Sequence, residues 1–284
     1  MSAGQRRMNK LALHAVLIVL AIITLVPYLW LIVASLKSQE DFFSAIFFPP
    51  GDGLFGIGWD KLTLENYTNL FGLGFGTNLI NSVFYSATTA LFATLICAAT
   101  GYVLAKHSFR GRNLITIIVL GALIVPPTLL LAPGYELIYD LNLLDTAWGL
   151  LLPLMAPAFG VFLFRQAVIQ SVPDELLEAA RIDGCSEWSI FFIVVLPLVR
   201  PMIGAFMLIT FLAMWNNFIS PQIILQSADK QPLSVAISQL RGVYKTDYGL
   251  LTAATVVSVL PVAALFLLLQ KQFISGLTSG AVKG

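Results

Sequence analysis

Residues Ser171 to Pro201 read SVPDELLEAARIDGCSEWSIFFIVVLPLVRP, a strongly charged run set between two long apolar segments. Pro173 suits the first turn of a helix, where its missing N–H has no partner to lose. Asp174, Glu175 and Glu178 come next in the first turns, where the positive end of the helix dipole favours acids. Gly184 supplies a stop, because glycine enters the left-handed conformation that ends many helices. Ser186 can cap a second helix with Glu187 just inside it, and Pro197 and Pro201 break or kink the chain beyond it. The stretch therefore predicts a short helix, a glycine turn, and a second short helix feeding an apolar segment. Leu176, Leu177, Ala180 and Ile182 give the first helix an apolar side that needs a partner surface. On chemistry alone that surface is either the membrane interface or another protein.

Composition settles the medium. Apolar residues make up 58% of the 284 and charged ones only 11%, against about 25% charged in a soluble domain. The chain is predicted to be an all-α integral membrane protein. A net charge of +1 gives no reason to expect nucleic acid as a partner. Cys97 and Cys185 lack metal-ligand spacing and are expected as free thiols.

About 20 apolar residues cross the hydrocarbon, and six segments qualify, at about 11–36, 78–105, 114–139, 146–164, 202–224 and 249–270. The first is too long for a cleaved signal peptide and lacks a small-residue cleavage site after it. His14, near its start, is expected at the interface. Residues 37–77 form a long connection rich in Gly, Pro and aromatics. The third segment is interrupted by Pro126, Pro127 and Pro133, and such breaks occur where backbone faces protein or a water-filled path. The polar stretch 171–201 lies between the fourth and fifth segments, and 271–284 is a tail. Six spans put both termini on one side. With the termini in the cytoplasm, inside segments carry Arg6, Arg7, Lys10, Lys106, Arg110, Arg112, Arg165, Arg181, Arg200, Lys271 and Lys283, eleven cations against five (Lys37, Lys61, Lys230, Arg241, Lys245) outside. That satisfies the positive-inside rule and places 171–201 in the cytoplasm.

The middle of each span lacks Asp, Glu, Lys and Arg, which disfavours a proton-driven carrier. The sequence has no phosphate-binding G-x-x-x-x-G-K-[ST] loop. If the chain takes part in active transport, energy enters from another subunit. In the fifth span, Thr210, Trp215, Asn216 and Asn217 interrupt the apolar run. Amides are costly toward lipid, so they serve either as glue between helices or as the lining of a path for a hydroxyl-rich solute.

Glu178-Ala179-Ala180, Asp183-Gly184, nine intervening residues, then Val194-Val195-Leu196-Pro197 resembles the EAA loop of ABC importer permeases. Val194 stands where that family often has Ile. Weaker echoes of carbohydrate permeases lie in Ser35-Leu36-Lys37, in Leu62–Tyr67 and in Trp215-Asn216-Asn217-Phe218 with Pro221 soon after. The tail, with Gly276-Leu277-Thr278 and Gly280-Ala281-Val282-Lys283-Gly284, resembles that of maltose-type permease subunits. Leu141–Thr146 departs from the pattern, since relatives often have a glycine before the leucine. The likeness covers nearly the whole chain and is to a carbohydrate importer permease of the maltose or glycerol-phosphate type.

The resemblance implies a non-enzymatic, multi-pass subunit of a prokaryotic inner membrane. Its partners would be membrane lipid, a second homologous permease, two cytoplasmic ABC ATPases and an extracytoplasmic solute-binding protein. It implies no cofactor on this chain, with ATP and Mg on the ATPase. Coupling would fall to Glu178, as an anchor for a basic ATPase residue, to Ala179 and Ala180 for close approach, and to Asp183, Gly184, Leu196 and Pro197. Gly276, Thr278, Gly280 and Lys283 would contact the ATPases, and Thr210, Trp215, Asn216 and Asn217 are the candidate path. A secondary carrier or channel for a small polar solute, and a membrane scaffold, are the competing readings.

Overall fold

A computed structural model of the chain describes residues 3–242 and 246–279, with side chains omitted at 3–8, 269 and 271–279. All regular structure among these residues is helical, apart from two isolated β-bridges. In chain order the α-helices are α1 (Ala3–Ser35), α2 (Glu65–Gly72), α3 (Phe75–Lys106), α4 (Arg112–Ala122), α5 (Leu131–Asp140), α6 (Ala147–Leu151) and α7 (Ala158–Ser171). Then come α8 (Asp174–Ile182), α9 (Glu187–Ser189), α10 (Leu196–Leu198), α11 (Arg200–Trp215), α12 (Ile219–Ile224), α13 (Leu233–Gln239) and α14 (Tyr248–Ser279). By length and composition, three helices can cross a membrane alone: residues 9–35 of α1, all of α3, and residues 248–268 of α14. Three bent pairs raise the number to six if each is one span.

The bends lie where proline chemistry puts them. Between 112–122 and 127–140 the axis turns by 100°. Pro126 is held extended at ψ 127° because Pro127 comes next, and the residue before a proline is pushed out of the helical region. Pro133 leaves α5 intact, since it sits in the first turn, where no intrahelical N–H is needed. Residues 187–198 and 200–215 meet at 83°. Ahead of that corner, Ile190–Val195 is π-helix. Pro197 has no N–H to offer the Ile193 carbonyl, and a π-turn is one way to absorb such a defect. The third bend, 42° between 147–154 and 158–171, falls at Pro157.

Several helix limits differ from the sequence expectations. The fourth apolar segment continues helically to Ser171, and the sixth runs on to Ser279. The fifth stops at Trp215 and resumes as the short α12. The connection 37–77 is not featureless: it contains α2 and two 3-10 turns.

The chain divides into two compact units. The first comprises Met1–Phe75 and Ile237–Leu260. Its organising residue is Asn66, whose buried amide donates to the carbonyls of Ser35 (2.8 Å) and Lys37 (2.7 Å). Ser35 Oγ meets the Tyr67 hydroxyl at 2.7 Å, so α2 holds the end of α1. Gly249 lies directly against Asn66, where a Cβ would come within 2.7 Å of Oδ1. Lys37 is fully buried and its ammonium donates to the Ala45 carbonyl at 2.6 Å. Burial pushes its pKa down, with Asp41 opposing.

The second unit comprises Gly76–Ala236 and Pro261–Gly284. One core, including Cys97, Tyr102, Leu104, Phe164, Val168, Val172, Leu177, Ile190, Phe191 and Phe206, joins α3, α7, α8, the π-segment and α11. The backbones of α3 and α7 touch at Gly101, where an added Cβ would lie 2.7 Å from the Arg165 nitrogen. A second core gathers Tyr85, Ile138, Leu150, Leu151, Met214 and Leu225.

Candidate functional site

The helix α8 is the centre of the polar stretch. Leu177 is its one fully buried side chain and packs into the core that holds Tyr102 and Phe191. Its other face is open: Glu178 and Ala179 are exposed and Ala180 is half-buried. Among the described residues the Glu178 side chain has neither a hydrogen bond nor an ion pair.

Gly184 ends the helix at φ +82°. Its N–H donates to the Arg181 carbonyl at 3.0 Å, and the Cys185 N–H reaches back to the Ala180 carbonyl at 3.0 Å. This pair of bonds is a Schellman closure. It gives Ala180 a backbone role beside its small side chain. Asp183 occupies the C-cap and is exposed, its N–H bonded to the Ala179 carbonyl at 2.9 Å. Ser186 then caps α9, its hydroxyl accepting from the Ser189 N–H at 3.2 Å. Pro173 stands one residue before α8 as its N-cap.

Charged groups fasten this surface to the end of α3. Lys106 Nζ bonds Asp174 Oδ1 at 2.7 Å. The Tyr102 hydroxyl donates to Glu187 Oε2 at 3.0 Å, and Arg181 Nε donates to Glu187 Oε1 at 2.8 Å. His107 Nε2 lies 3.4 Å from the same carboxylate. The Arg181 guanidinium, helped by the Tyr102 hydroxyl, holds the Glu187 carboxyl below the usual carboxylate range, and Glu187 in turn raises Arg181.

Two apolar side chains flanking the turn are open to solvent. Ile182 is 85% exposed and Trp188 71%. Trp188 stacks on the exposed ring of Phe192 at 6.4 Å. Exposed apolar groups on a stretch that also carries an unpaired acid suit a protein partner. Leu196 is half-buried against the core and Pro197 is exposed, so these two belong to the hinge between the π-segment and α11.

The other candidates lie elsewhere. Trp215 is buried and stacked on Phe211 at 5.6 Å. Asn216 is exposed and donates to the Leu212 carbonyl at 2.9 Å, while Asn217 Oδ1 accepts from the Ser220 N–H at 3.3 Å. Both amides thus close helix ends within the fifth segment, and Thr210 is half-buried about two turns earlier. Of Gly276 and Thr278 only the helical backbone is described, and Gly280 and Lys283 lie outside the described residues.

Sequence reasoning missed Asp145. This residue, at φ 55°, accepts from the backbone of Gln226 and Ser227 (both 2.9 Å), from Ser227 Oγ (2.5 Å) and from Lys230 Nζ (2.7 Å). The Lys230 ammonium and the Ser227 donors hold its carboxyl well below the usual range. Asn78, Asn81 and Tyr85 bond the carbonyls of residues 228–231 from α3. The signal available in the sequence was two residues tolerant of left-handed backbone, Asn142 and Asp145, three positions apart.

Comparison with known proteins identifies the family. The family model described as "binding-protein-dependent transport system inner membrane component" matches residues 98–279. An arabinooligosaccharides transport system permease protein of Bacillus subtilis (strain 168) is 36% identical over 97% of this chain and 96% of its own length. A diacetylchitobiose uptake system permease protein of Streptomyces coelicolor is 34% identical over 99% of this chain and 91% of its own. In fold, the chain superposes on a chain from the crystal structure of a bacterial ABC transporter involved in alginate import, with a TM-score of 0.80, 21% identity, and 96% and 99% coverage of the two chains.

Proposed function

This chain belongs to the family of binding-protein-dependent transport system inner membrane components, and on that premise we propose that it is the sugar-importing kind, coupled to a cytoplasmic ATPase through α8. It is a multi-pass protein of the inner membrane. The observation that carries the coupling assignment is the state of α8 and of the turn after it: Glu178 unpaired, Ala179 and Ile182 exposed, and Trp188 exposed on α9, while Leu177 packs α8 into the core.

The solute class rests on the permeases that match along their length, which carry arabinooligosaccharides and diacetylchitobiose by name. A sugar, or a related polyol or glycerol phosphate, is the cargo. Both termini and α8 face the cytoplasm, a placement supported by the eleven-to-five cation bias. A second, similar permease completes the pathway, and a solute-binding protein delivers cargo from outside. Two ATPases bind ATP and Mg; this chain holds neither and catalyses nothing. Glu178 pairs with a cation on the ATPase, Ala179 and Ala180 let the two surfaces close, and the tail through Gly276, Thr278, Gly280 and Lys283 reaches the ATPases. Thr210 and Trp215 on α11, with Asn216 and Asn217 just past its end, line the path.

Uptake of labelled arabinooligosaccharides, diacetylchitobiose and glycerol 3-phosphate, with and without the gene for this chain, tests the proposal. ATP-requiring uptake of at least one of them is expected to disappear with the gene. Gene-dependent uptake that persists after ATP depletion contradicts it and favours a secondary carrier.

A further inference from the structure

Chain continuity ties α8 to α7 before it and to α11 after it. The side chains tie it to a third helix. Tyr102 and Lys106 stand four residues apart on the last turns of α3, hence on one face and about 6 Å apart along its axis. Lys106 takes Asp174, the first residue of α8. Tyr102 takes Glu187, which holds Arg181 in the last turn of α8 across the glycine turn. One face of α3 therefore grips α8 at both ends. The Tyr102 ring is itself fixed: it is 3% exposed, stacked on Phe191 at 6.0 Å and edge-on to His107 at 5.0 Å. The hydroxyl of a ring so placed has a defined position, from which it donates to the Glu187 carboxylate, itself about half exposed and also bonded by Arg181.

We propose that Tyr102 is the positioning residue of the coupling surface: its hydroxyl sets Glu187 and, through it, Arg181, so that α8 and the Gly184 turn present Glu178 in one orientation and α3 moves with them. This rests on the reading of α8 as the ATPase contact. The helix α3, remote in sequence from that contact, becomes a direct recipient of its displacement, with Lys106–Asp174 as the second attachment.

The test uses the native thiol of Cys185, exposed one residue past the turn, while Cys97 is buried. A nitroxide on Cys185 of the full chain in nanodiscs reports the mobility of the turn, and retention of the co-purifying ATPase is titrated in parallel. Tyr102→Phe keeps the ring contacts and removes only the hydroxyl. It is expected to raise the mobile spectral component and to weaken ATPase retention about threefold to tenfold, a range suited to a half-exposed charged hydrogen bond. In a Glu187→Ala background the same substitution is expected to add nothing. A native-like spectrum for Tyr102→Phe overturns the assignment, as does a full additional effect in the Glu187→Ala background, because the hydroxyl would then act through some other group. Absence of an ATPase from native protein would strike at the coupling reading alone, since the label comparison does not depend on it.

Discussion

Replacing Gly184 separates two kinds of cost that usually come mixed. The residue lies at φ +82°, yet a Cβ built there meets nothing within 4 Å. Crowding therefore contributes nothing and backbone conformation contributes everything. Forcing an ordinary L-residue into the left-handed region costs roughly 1–2 kcal/mol. At about 1.4 kcal/mol per factor of ten, Gly184→Ala should weaken docking of an ATPase about fivefold to thirtyfold if the closed turn is the form that docks. Asn visits this region readily, so Gly184→Asn should cost much less although its side chain is larger. Gly184→Asp should fall below Asn, since its charge adds to the negative end of α8 at about 0.3–1 kcal/mol. The assay is titration of nanodisc-embedded variants with purified ATPase, with membrane insertion checked for each. If Ala binds better than Asn, the order tracks size, and the left-handed φ of residue 184 is refuted as the source of the cost.

Other sites give contrasts of the same kind. Gly101→Ala would put a Cβ 2.7 Å from the Arg165 backbone and 2.8 Å from Phe164 Cβ; thermal unfolding in detergent should show a loss of about 1–3 kcal/mol or more, whereas Gly121→Ala, with open space around it, should be neutral or slightly stabilising. Asp145→Ala strips the acceptor from Gln226, Ser227 and Lys230 together, so it should lower the melting temperature more than Asp145→Asn, which keeps an oxygen and tolerates φ 55°. Glu187 has a folded pKa below its ordinary 4.5. Its contribution is therefore present above pH 4.5 and lost as pH falls through the lower folded value. The Cys185 label should report a turn that loosens as pH falls below 4.5 and through that lower value.

Much of the local design of the polar stretch was legible in the sequence, because it depends on residues within one or two turns of each other. The acidic first turn, the Gly184 stop, the Ser186 cap and the proline corners all come from backbone rules that act at short range. Tyr102–Glu187, Asp145–Lys230 and the Asn66 clamp were not legible. They join positions 85, 85 and about 30 residues apart, and a buried tyrosine or asparagine carries no mark of its partner. Trp215 and the amides after it show the opposite difficulty. Polar residues in an apolar segment suggested either glue between helices or a solute path, and the sequence did not show that Asn216 and Asn217 also bond local backbone groups at a helix break. The long connection 37–77 read as loop because its Gly and Pro content hides α2, which gains stability from holding α1 through Asn66 rather than from its own length.

The most direct test of the coupling role is a pull-down from solubilised membranes, comparing native protein with the Glu178→Lys, Gly184→Asp double variant. Co-purification of a P-loop ATPase with native protein, and its loss from an inserted and folded variant, is the predicted result. Equal recovery of the ATPase with both proteins would contradict the placement of the contact on α8, and absence of an ATPase from both under conditions that preserve the complex would contradict the coupling itself.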